Sequence, residues 1–352
     1  MSEPDWASGE IGHRLVVEMV DPIDHASVRG ALQVSGGKVS WDAYSDTRAS
    51  ATIDVVDWSA YVPGSWLRVV HEVPAFGWSE TLITGFVWDD GSPTTRSGGT
   101  SSSPSVMSAM KALQTDLMPC PMTVAEGGTA SEAIAAVCGK DVPRRPYRIL
   151  PGFADRRFTA TRTYDVGDAR LKILFDLCDA CGARMDVDGD GTVTFARYVA
   201  PSGREPVASI TCDAGDAVVL GSGIGRASSA AQDVNRSIVT WRDGDDVVSG
   251  FADVPETSDL APGRRGYSVA ELHQIDDMSE PHTAAHAAEM AAGFLGAGGS
   301  TVEWSISTMW LPVRAGDVVA FAPPGEASRR CVVKSLDADL SSWTMSMTLK
   351  EA

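Results

Sequence analysis

The C-terminal run Trp343-Thr344-Met345-Ser346-Met347-Thr348-Leu349-Lys350 alternates apolar and polar side chains, which is typical of a β-strand with one buried face. The same alternation occurs at residues 302–307. Between these runs lie two short apolar segments, 318–321 and 331–333, which are bounded by turns rich in Pro and Gly. The C-terminal segment is therefore predicted to form a four-strand β-meander, and it contains no residue set suited to catalysis.

The charge of the chain limits what it can bind. The 352 residues include 47 acidic and 29 basic side chains, for a formal net charge of −18. Specific nucleic-acid binding is disfavoured, because neutralising phosphates requires clustered Lys and Arg. An acidic surface would instead let DNA pass without adhering, although it would also simply keep the protein soluble.

The cysteines and the N-terminus indicate where the protein resides. Six cysteines in 352 residues are too sparse for a disulfide scaffold and favour a reducing compartment. The first residues lack the basic and apolar regions of a signal peptide, and no run approaches the ~18 apolar residues of a membrane span. We expect assembly in the cytoplasm, with no membrane span.

The N-terminal part reads as a compact β module followed by a mixed region. Residues 12–88 supply six alternating segments, which predict a small barrel or sandwich. Residues 89–105 hold no large apolar side chain and are predicted to be an exposed loop. Helices, one of them with a capping box at Thr129 and Glu132, and a hairpin then predict an α+β block.

The region before the final strands alternates between strand and helix patterns. Strands are predicted from 209 to 254, and a Pro- and Gly-rich break follows at 255–266. A capping box at Ser268 and Glu271 then predicts the start of helical structure, with an Ala-rich helix at about 279–295.

The predicted fold is α+β and mainly β, with two β-barrel modules, an α+β insertion domain and a small helical insertion. The predicted boundaries are 1–95 for the first barrel, 96–205 for the α+β insertion, 206–262 for the first part of the second barrel, 263–299 for the helical insertion and 300–352 for the C-terminal part of the second barrel.

One segment matches the first half of a calcium loop. Asp186, Asp188 and Asp190 occupy its first, third and fifth positions, and Gly191 its turn position. The twelfth position, which should carry a bidentate acid, is Arg197, and a hairpin turn explains the same residues. These aspartates are therefore weak metal candidates, and no metal or cofactor is predicted.

Two other motifs have metal-site spacing without a complete ligand set. Cys178 and Cys181 form a CxxC at the end of a helix, without a second pair, and are interpreted as core residues. His282 and His286 lie four residues apart on a predicted helix, but Thr283 stands where a metalloprotease helix has Glu.

The glycines at 221–225 are spaced G-x-G-x-G, so a glycine-rich connection is a better interpretation than a dinucleotide fingerprint. Ten tryptophans are interpreted as core or interface residues, while stacking of sugars on them is the alternative.

The order of these parts resembles the baseplate or tail-hub proteins of long-tailed phages, especially minor tail proteins of actinobacterial siphophages. The resemblance covers nearly the whole chain and rests on segments 37–42, 47–55, 171–177, 185–195, 233–240, 284–289 and 312–319.

The resemblance implies two tail-tube-like barrels per subunit and a homotrimer in which three chains imitate a sixfold ring. Such a protein joins the distal tail or tail tube protein to trimeric tip or fibre proteins, around a channel that the tape-measure protein or a plug closes until ejection. It is a virion component of the tail tip and not an enzyme. Two alternatives remain: a carbohydrate-binding or wall-degrading tail component, and the hub of a contractile injection machine.

Overall fold

The computed structural model describes residues 4, 6, 11–96, 99–139, 146–158, 161–212, 217–220, 223–228, 234–243, 246–276, 283–295 and 302–352. The strands are β1 (Arg14–Val20), β2 (Val28–Leu32), β3 (Val34–Asp42), β4 (Ala49–Val55), β5 (Trp66–Val73), β6 (Trp78–Asp89), β7 (Thr94–Arg96), β8 (Gly99–Ser101), β9 (Ser105–Ser108), β10 (Met122–Val124), β11 (Tyr147–Ile149), β12 (Arg162–Tyr164), β13 (Ala183–Val187), β14 (Val193–Arg197), β15 (Ala208–Thr211), β16 (Ala217–Val218), β17 (Gly225–Ser228), β18 (Arg236–Asp243), β19 (Asp246–Asp253), β20 (Ala270–Asp276), β21 (Val302–Met309), β22 (Val318–Ala322), β23 (Arg329–Asp339) and β24 (Thr344–Glu351). The helices are α1 (Ala109–Thr115), α2 (Ala130–Gly139), α3 (Arg170–Ala180), α4 (Pro262–Arg265) and α5 (Ala284–Leu295).

Most of the strands belong to one sheet, here called the large sheet. It joins 14 of the described strands in the order β16-β15-β22-β23-β3-β4-β9-β6-β5-β1-β2, and a branch β24-β21-β17 leaves β23. The mainly β character predicted from the alternating segments is confirmed. Strand β9 belongs to this sheet, between β4 and β6, although residues 96–205 were expected to form the insertion.

The prediction of two β-barrel modules is confirmed only as far as the mainly β character, because the pairing of the named strands shows no closed barrel. An isolated bridge between Val219 and Thr308 also connects the end of β16 to β21. Strand β23 pairs with β3, from Ser335 opposite Asp42 to Asp339 opposite Lys38, so the N-terminal and C-terminal strands share one sheet. Strand β23 has 11 residues and extends beyond the end of β22. Its backbone groups in the extended part need another hydrogen-bonding partner, and β3 supplies it.

The C-terminal strands do not follow a simple meander. Their order is β22-β23-β24-β21, so β21 pairs with β24 and not with β22. The connection from β21 to β22 carries Trp310, Leu311 and Val313, which are all buried. This apolar connection crosses the core and places β22 on the far side of β23.

The described residues between 109 and 200, here called the insertion unit, contain an internal two-fold repeat. Strand β10 pairs antiparallel with β12 around Thr123 and Thr163, which are 40 residues apart, and each strand leads through a glycine turn into a helix, α2 or α3. The turns donate reciprocal hydrogen bonds: Gly127 N to the Phe158 carbonyl and Gly167 N to the Met118 carbonyl. A second small sheet, β11-β14-β13, completes the unit.

The repeat is visible in the buried residues. The helices bury equivalent side chains at positions 133 and 173, 134 and 174, 137 and 177, and 138 and 178. The capping box predicted at Thr129 and Glu132 is confirmed by reciprocal bonds of 2.9 and 3.2 Å.

The described residues between 234 and 295 form a third body, here called the side unit. Strands β19-β18-β20 make a separate sheet, and α5 packs on β18 and β19. Strands β18 and β19 were expected in the second barrel at 206–262, and β20 was expected to be helical; both expectations are corrected. Parallel pairing of β20 with β18 over seven residues outweighs the local capping signal at Ser268 and Glu271.

Candidate functional site

The insertion unit meets the large sheet along a contact here called the seam, and the Asp-Gly hairpin of the calcium-like motif lies in it. Asp188 N donates to the Thr192 carbonyl and Gly191 N to the Asp188 carbonyl, each at 2.9 Å, which closes a tight turn between β13 and β14. A Cβ on Gly189 would overlap the Thr81 carbonyl oxygen of β6, and one on Gly191 would lie 2.8 Å from His25 Nδ1. Gly189 therefore allows two backbones to approach closely, and Gly191 leaves room for the His25 side chain.

Arg314 clamps the same contact from the other side. Its guanidinium donates to Glu80 Oε1 at 2.7 Å and to the Thr81 carbonyl at 2.8 Å. The Arg314 backbone N donates to Asp317 Oδ2 at 2.7 Å, which fixes the turn before β22. Arg314 therefore links the C-terminal strands, β6 and the hairpin of the insertion unit.

Three further arginines enter the seam. Arg48, in a left-handed conformation with φ 58°, donates to the carbonyls of its own turn and to the Met185 carbonyl at 3.4 Å. Arg204 donates to the Gly316 carbonyl at 2.7 Å. Arg184 pairs with Asp186, and its guanidinium lies so close to Gly316 that a Cβ there would be 2.6 Å away.

These arginines surround a cleft of about 470 Å³ between the turn that joins β3 to β4, the insertion unit and the turn before β22. Burial lowers the pKa of Arg204, and the neighbouring Arg184 cation lowers it further. Burial also raises the pKa of Asp317, although the Arg314 backbone N and nearby guanidinium groups act in the opposite direction. The cleft thus holds crowded cations with incomplete neutralisation.

The three candidate aspartates of the calcium-like motif have other partners. Asp186 pairs with Arg184, Asp188 pairs with Arg148, and Asp190 Oδ1 accepts the Thr192 N–H at 3.1 Å. Over the described ranges, no group of three His, Cys, Asp or Glu side chains is placed to hold a metal ion. The arrangement suits a docked hairpin.

The described residues of the CxxC motif and of the histidine pair pack against other parts of the structure. Cys178 and Cys181 are buried at the end of α3. Burial raises the pKa of Cys181 to about 11 and holds the pKa of Cys178 well above its ordinary value, so both thiols stay protonated. His286 stacks on Trp241 with ring centroids 5.4 Å apart, while His282 lies outside the described residues.

The described residues of the glycine-rich segment and most of the tryptophans lie in the large sheet or in the core. Gly225 begins β17, which pairs with β21, while residues 221 and 222 lie outside the described residues. Nine of the ten tryptophans are buried or half-buried; Trp88 is 51% exposed and carries Lys111 over its ring. A platform of stacked sugars requires several exposed rings, so the default interpretation as core residues suits these positions.

An aromatic cluster around His71 is absent from the sequence predictions. The His71 ring is fully buried, accepts or donates a 2.8 Å hydrogen bond with His13, and stacks on Trp343 at 4.2 Å. Trp78 and Trp310 contact its edges. The cluster ties β5 to the C-terminal strands, so it holds the two halves of the large sheet together.

Burial dominates the chemistry of this cluster. It lowers the pKa of His71 to about 3, and the neighbouring His13 contributes in the same direction. A signal for His71 exists in the sequence: it occupies the inward register of β5 together with Leu67, Val69 and Val73, all of which are buried.

No helix in the portion of the chain that the structure describes has both the length and the apolar character of a membrane-spanning helix.

The large sheet, the insertion unit and the side unit together match solved tail proteins. A tail protein from Neisseria meningitidis MC58 superposes with a TM-score of 0.63 at 12% identity, covering 97% of this chain and 96% of its own. The 43 kDa tail protein of prophage MuSo2 from Shewanella oneidensis gives 0.62 at 13% identity, covering 95% and 97%. The chain has the fold of phage tail proteins.

The tail-protein fold extends to secretion machines. The E. coli c3393 protein, a type VI secretion component described as similar to the T4 tail proteins gp27 and gp5, gives a TM-score of 0.52 at 10% identity, covering 96% of this chain and 77% of its own. No family model and no curated protein matches the sequence. At these identities the tail-protein fold is shared while the individual side chains are not.

Proposed function

We propose that this protein is a structural component of a phage tail, the hub at the tail tip of a siphophage of the actinobacterial type. The observation that carries the proposal is the end-to-end match with two tail proteins, which covers at least 95% of this chain and 96% of each of theirs. The two matched proteins are described as tail proteins, which supports a structural and non-enzymatic role. The chain has 23 arginines and 6 lysines, and this preference for arginine fits a GC-rich host.

The proposed assembly is a homotrimer that adapts sixfold to threefold symmetry. The hub would join the distal tail protein or tail tube protein to the tip or fibre proteins and would surround the tape-measure protein in a DNA ejection channel. Strand β2 ends the large sheet and pairs, among the described strands, with β1 alone, so its outer edge is available to a neighbouring copy. The net charge of −18 supports passage of DNA without specific binding.

The proposed location follows from the proposed role. The protein would be assembled in the host cytoplasm and would then remain in the virion at the tail tip.

The test of the assembly is the mass of the protein in solution, alone and with its neighbours in the tail. We expect a trimer or ring by native mass spectrometry and negative-stain imaging. A species that stays monomeric at high concentration, alone and with those neighbours, contradicts the proposal.

An edge variant locates the contact. Val28 on β2 is 52% exposed. The variant Val28→Lys places a charge on the edge that is proposed to pair with a neighbouring copy. The protein concentration at which half of the chains are assembled should therefore rise roughly tenfold. Val247→Lys is the matched control, since Val247 is 58% exposed on an edge strand of the side unit. Equal effects of both variants would contradict the assignment of the contact to β2.

The hub of a contractile injection machine is the second candidate, and the similarity to the E. coli type VI secretion component favours it. Imaging of the particle that contains the protein separates the two. A contractile sheath around the tube selects the second candidate, and a bare flexible tube selects the first.

A further inference from the structure

The cleft in the seam has features of a binding site that the proposed tail role does not use. Its volume of about 470 Å³ lies within the range of small-molecule sites, ~300–1,000 Å³. Five arginines line it: Arg48, Arg184, Arg197, Arg204 and Arg314. Such a concentration of guanidinium groups is unexpected in a chain with 47 acidic and 29 basic residues.

Not all of these cations are neutralised by the protein. Arg184 pairs with Asp186 and Arg314 with Glu80. Within the described part of the chain, Arg48 and Arg204 donate to backbone carbonyls only, and the buried Nε of each has no hydrogen-bond partner. A buried charged donor without an acceptor is unfavourable, so an acceptor supplied from outside would stabilise the arrangement.

The carboxylates that line the cleft are committed to other groups. Asp186 pairs with Arg184 and Asp188 with Arg148. Asp42 accepts the N–H of Tyr44, and Asp317 accepts the N–H of Arg314. Burial raises the pKa of Asp317, while the Arg314 backbone N and the guanidinium groups of Arg184, Arg314 and Arg204 act in the opposite direction.

We infer that the seam binds an oxyanion, a phosphate or a carboxylate, between Arg48, Arg184 and Arg204. Arg48 lies on the turn between β3 and β4, Arg184 is the second residue of β13, and Arg204 follows the insertion unit. An anion bound to all three therefore bridges the large sheet and the insertion unit. Bound there, it fixes the orientation of one body on the other. The ion is either free or the acidic group of a larger ligand.

The experiment is calorimetric titration of the full chain with inorganic phosphate, at fixed ionic strength with chloride as the balancing anion. We expect saturable binding, and Arg204→Gln should weaken it at least tenfold. Arg29→Gln is the matched control, because Arg29 forms an exposed ion pair with Asp21 outside the cleft, and its binding should equal that of the unmodified protein. Acetate and a tetraglutamate peptide, titrated in parallel, separate phosphate from carboxylate ligands and a free ion from an acidic chain.

A chemical measurement on the unmodified protein covers the case in which Arg204→Gln fails to fold. Phosphate should slow the modification of Arg204 by phenylglyoxal, followed by peptide mass spectrometry, and leave the modification of Arg29 unchanged. Absence of saturable binding by all three ligands overturns the inference. Binding that persists in folded Arg204→Gln, or phosphate that leaves the labelling of Arg204 unchanged, overturns it as well. The inference is independent of the proposed tail role, which is tested by oligomeric mass.

Discussion

At the scale of single residues, the surroundings of His71 make stability depend on pH. Its pKa is lowered to about 3 by burial among tryptophans, whereas an unfolded histidine titrates near 6.5. Above pH 6.5 both states are neutral and the contribution is fully present. As pH falls below 6.5 the unfolded state takes up the proton first, so stability decreases, by roughly 2 kcal/mol at pH 5.

The variant that tests this is His71→Phe, which retains a ring and removes the titration. Its free energy of unfolding, from urea denaturation between about pH 5 and pH 7.5, should change less with pH than that of the unmodified protein. His286→Gln, in the side unit, is the control and should keep the original pH dependence. If His71→Phe keeps it too, the cluster is not responsible.

Because Gly189 has no side chain, the hairpin of the insertion unit can pack closely against β6 of the large sheet. Gly189→Ala would place a methyl group against the Thr81 carbonyl, and the resulting overpacking should destabilise the protein by about 1–3 kcal/mol. Gly293→Ala is the control, because Gly293 lies on the exposed side of α5 with open space around it; that variant should be unchanged or up to ~1 kcal/mol more stable. Chemical denaturation of the two variants measures the difference, and similar values would show that the hairpin does not depend on close approach.

At the scale of elements, local signals predicted α2 well. The reciprocal bonds of Thr129 and Glu132 begin this helix, so Thr129→Ala should cost about 1 kcal/mol of the free energy of unfolding. Thr95→Ala, on the exposed β7–β8 hairpin, should stay within ~0.5 kcal/mol of the original value. Urea denaturation checks both, and an unchanged Thr129→Ala would mean that tertiary packing alone holds the helix.

Elements that depend on distant partners were harder to predict. The same capping pattern at Ser268 and Glu271 precedes β20, because seven pairs with β18 outweigh a local preference. The two-fold repeat of the insertion unit is hard to detect in the sequence because its halves share few identical residues. Gly127 and Gly167, and Cys138 and Cys178, are equivalent positions in the two halves. The docked hairpin at Asp186–Gly191 was predicted as a turn, yet its contact with β6 could not be inferred from spacing alone.

The candidate cleft also could not be predicted from the sequence, because its residues are brought together only by tertiary contacts. Arg48, Arg184, Arg204 and Arg314 are far apart in sequence and have no shared motif. They meet only because β23 joins the two halves of the large sheet and the insertion unit folds back on them.

At the scale of the whole molecule, the two halves of the large sheet should fold as one. A fragment of residues 1–108 lacks β23, which pairs with β3, and also lacks Trp310 and Trp343 from the His71 cluster. We expect this fragment to show no cooperative urea transition and a weak near-ultraviolet circular dichroism signal, in contrast to the full chain. A sharp transition in the fragment would show that the N-terminal strands are self-sufficient.

The pairing of β3 with β23 also has a mechanical consequence. The five residue pairs of this contact, reinforced by the Lys38–Asp337 ion pair, form a direct backbone link between the N-terminal and the C-terminal strands of the large sheet. In antiparallel strands the hydrogen bonds run perpendicular to the chain direction, so tension applied along the strands loads all of them in shear at once instead of opening them one by one. A pull on either end of the molecule would thus be shared across this joint, and the subunit would stretch elsewhere before its two halves came apart.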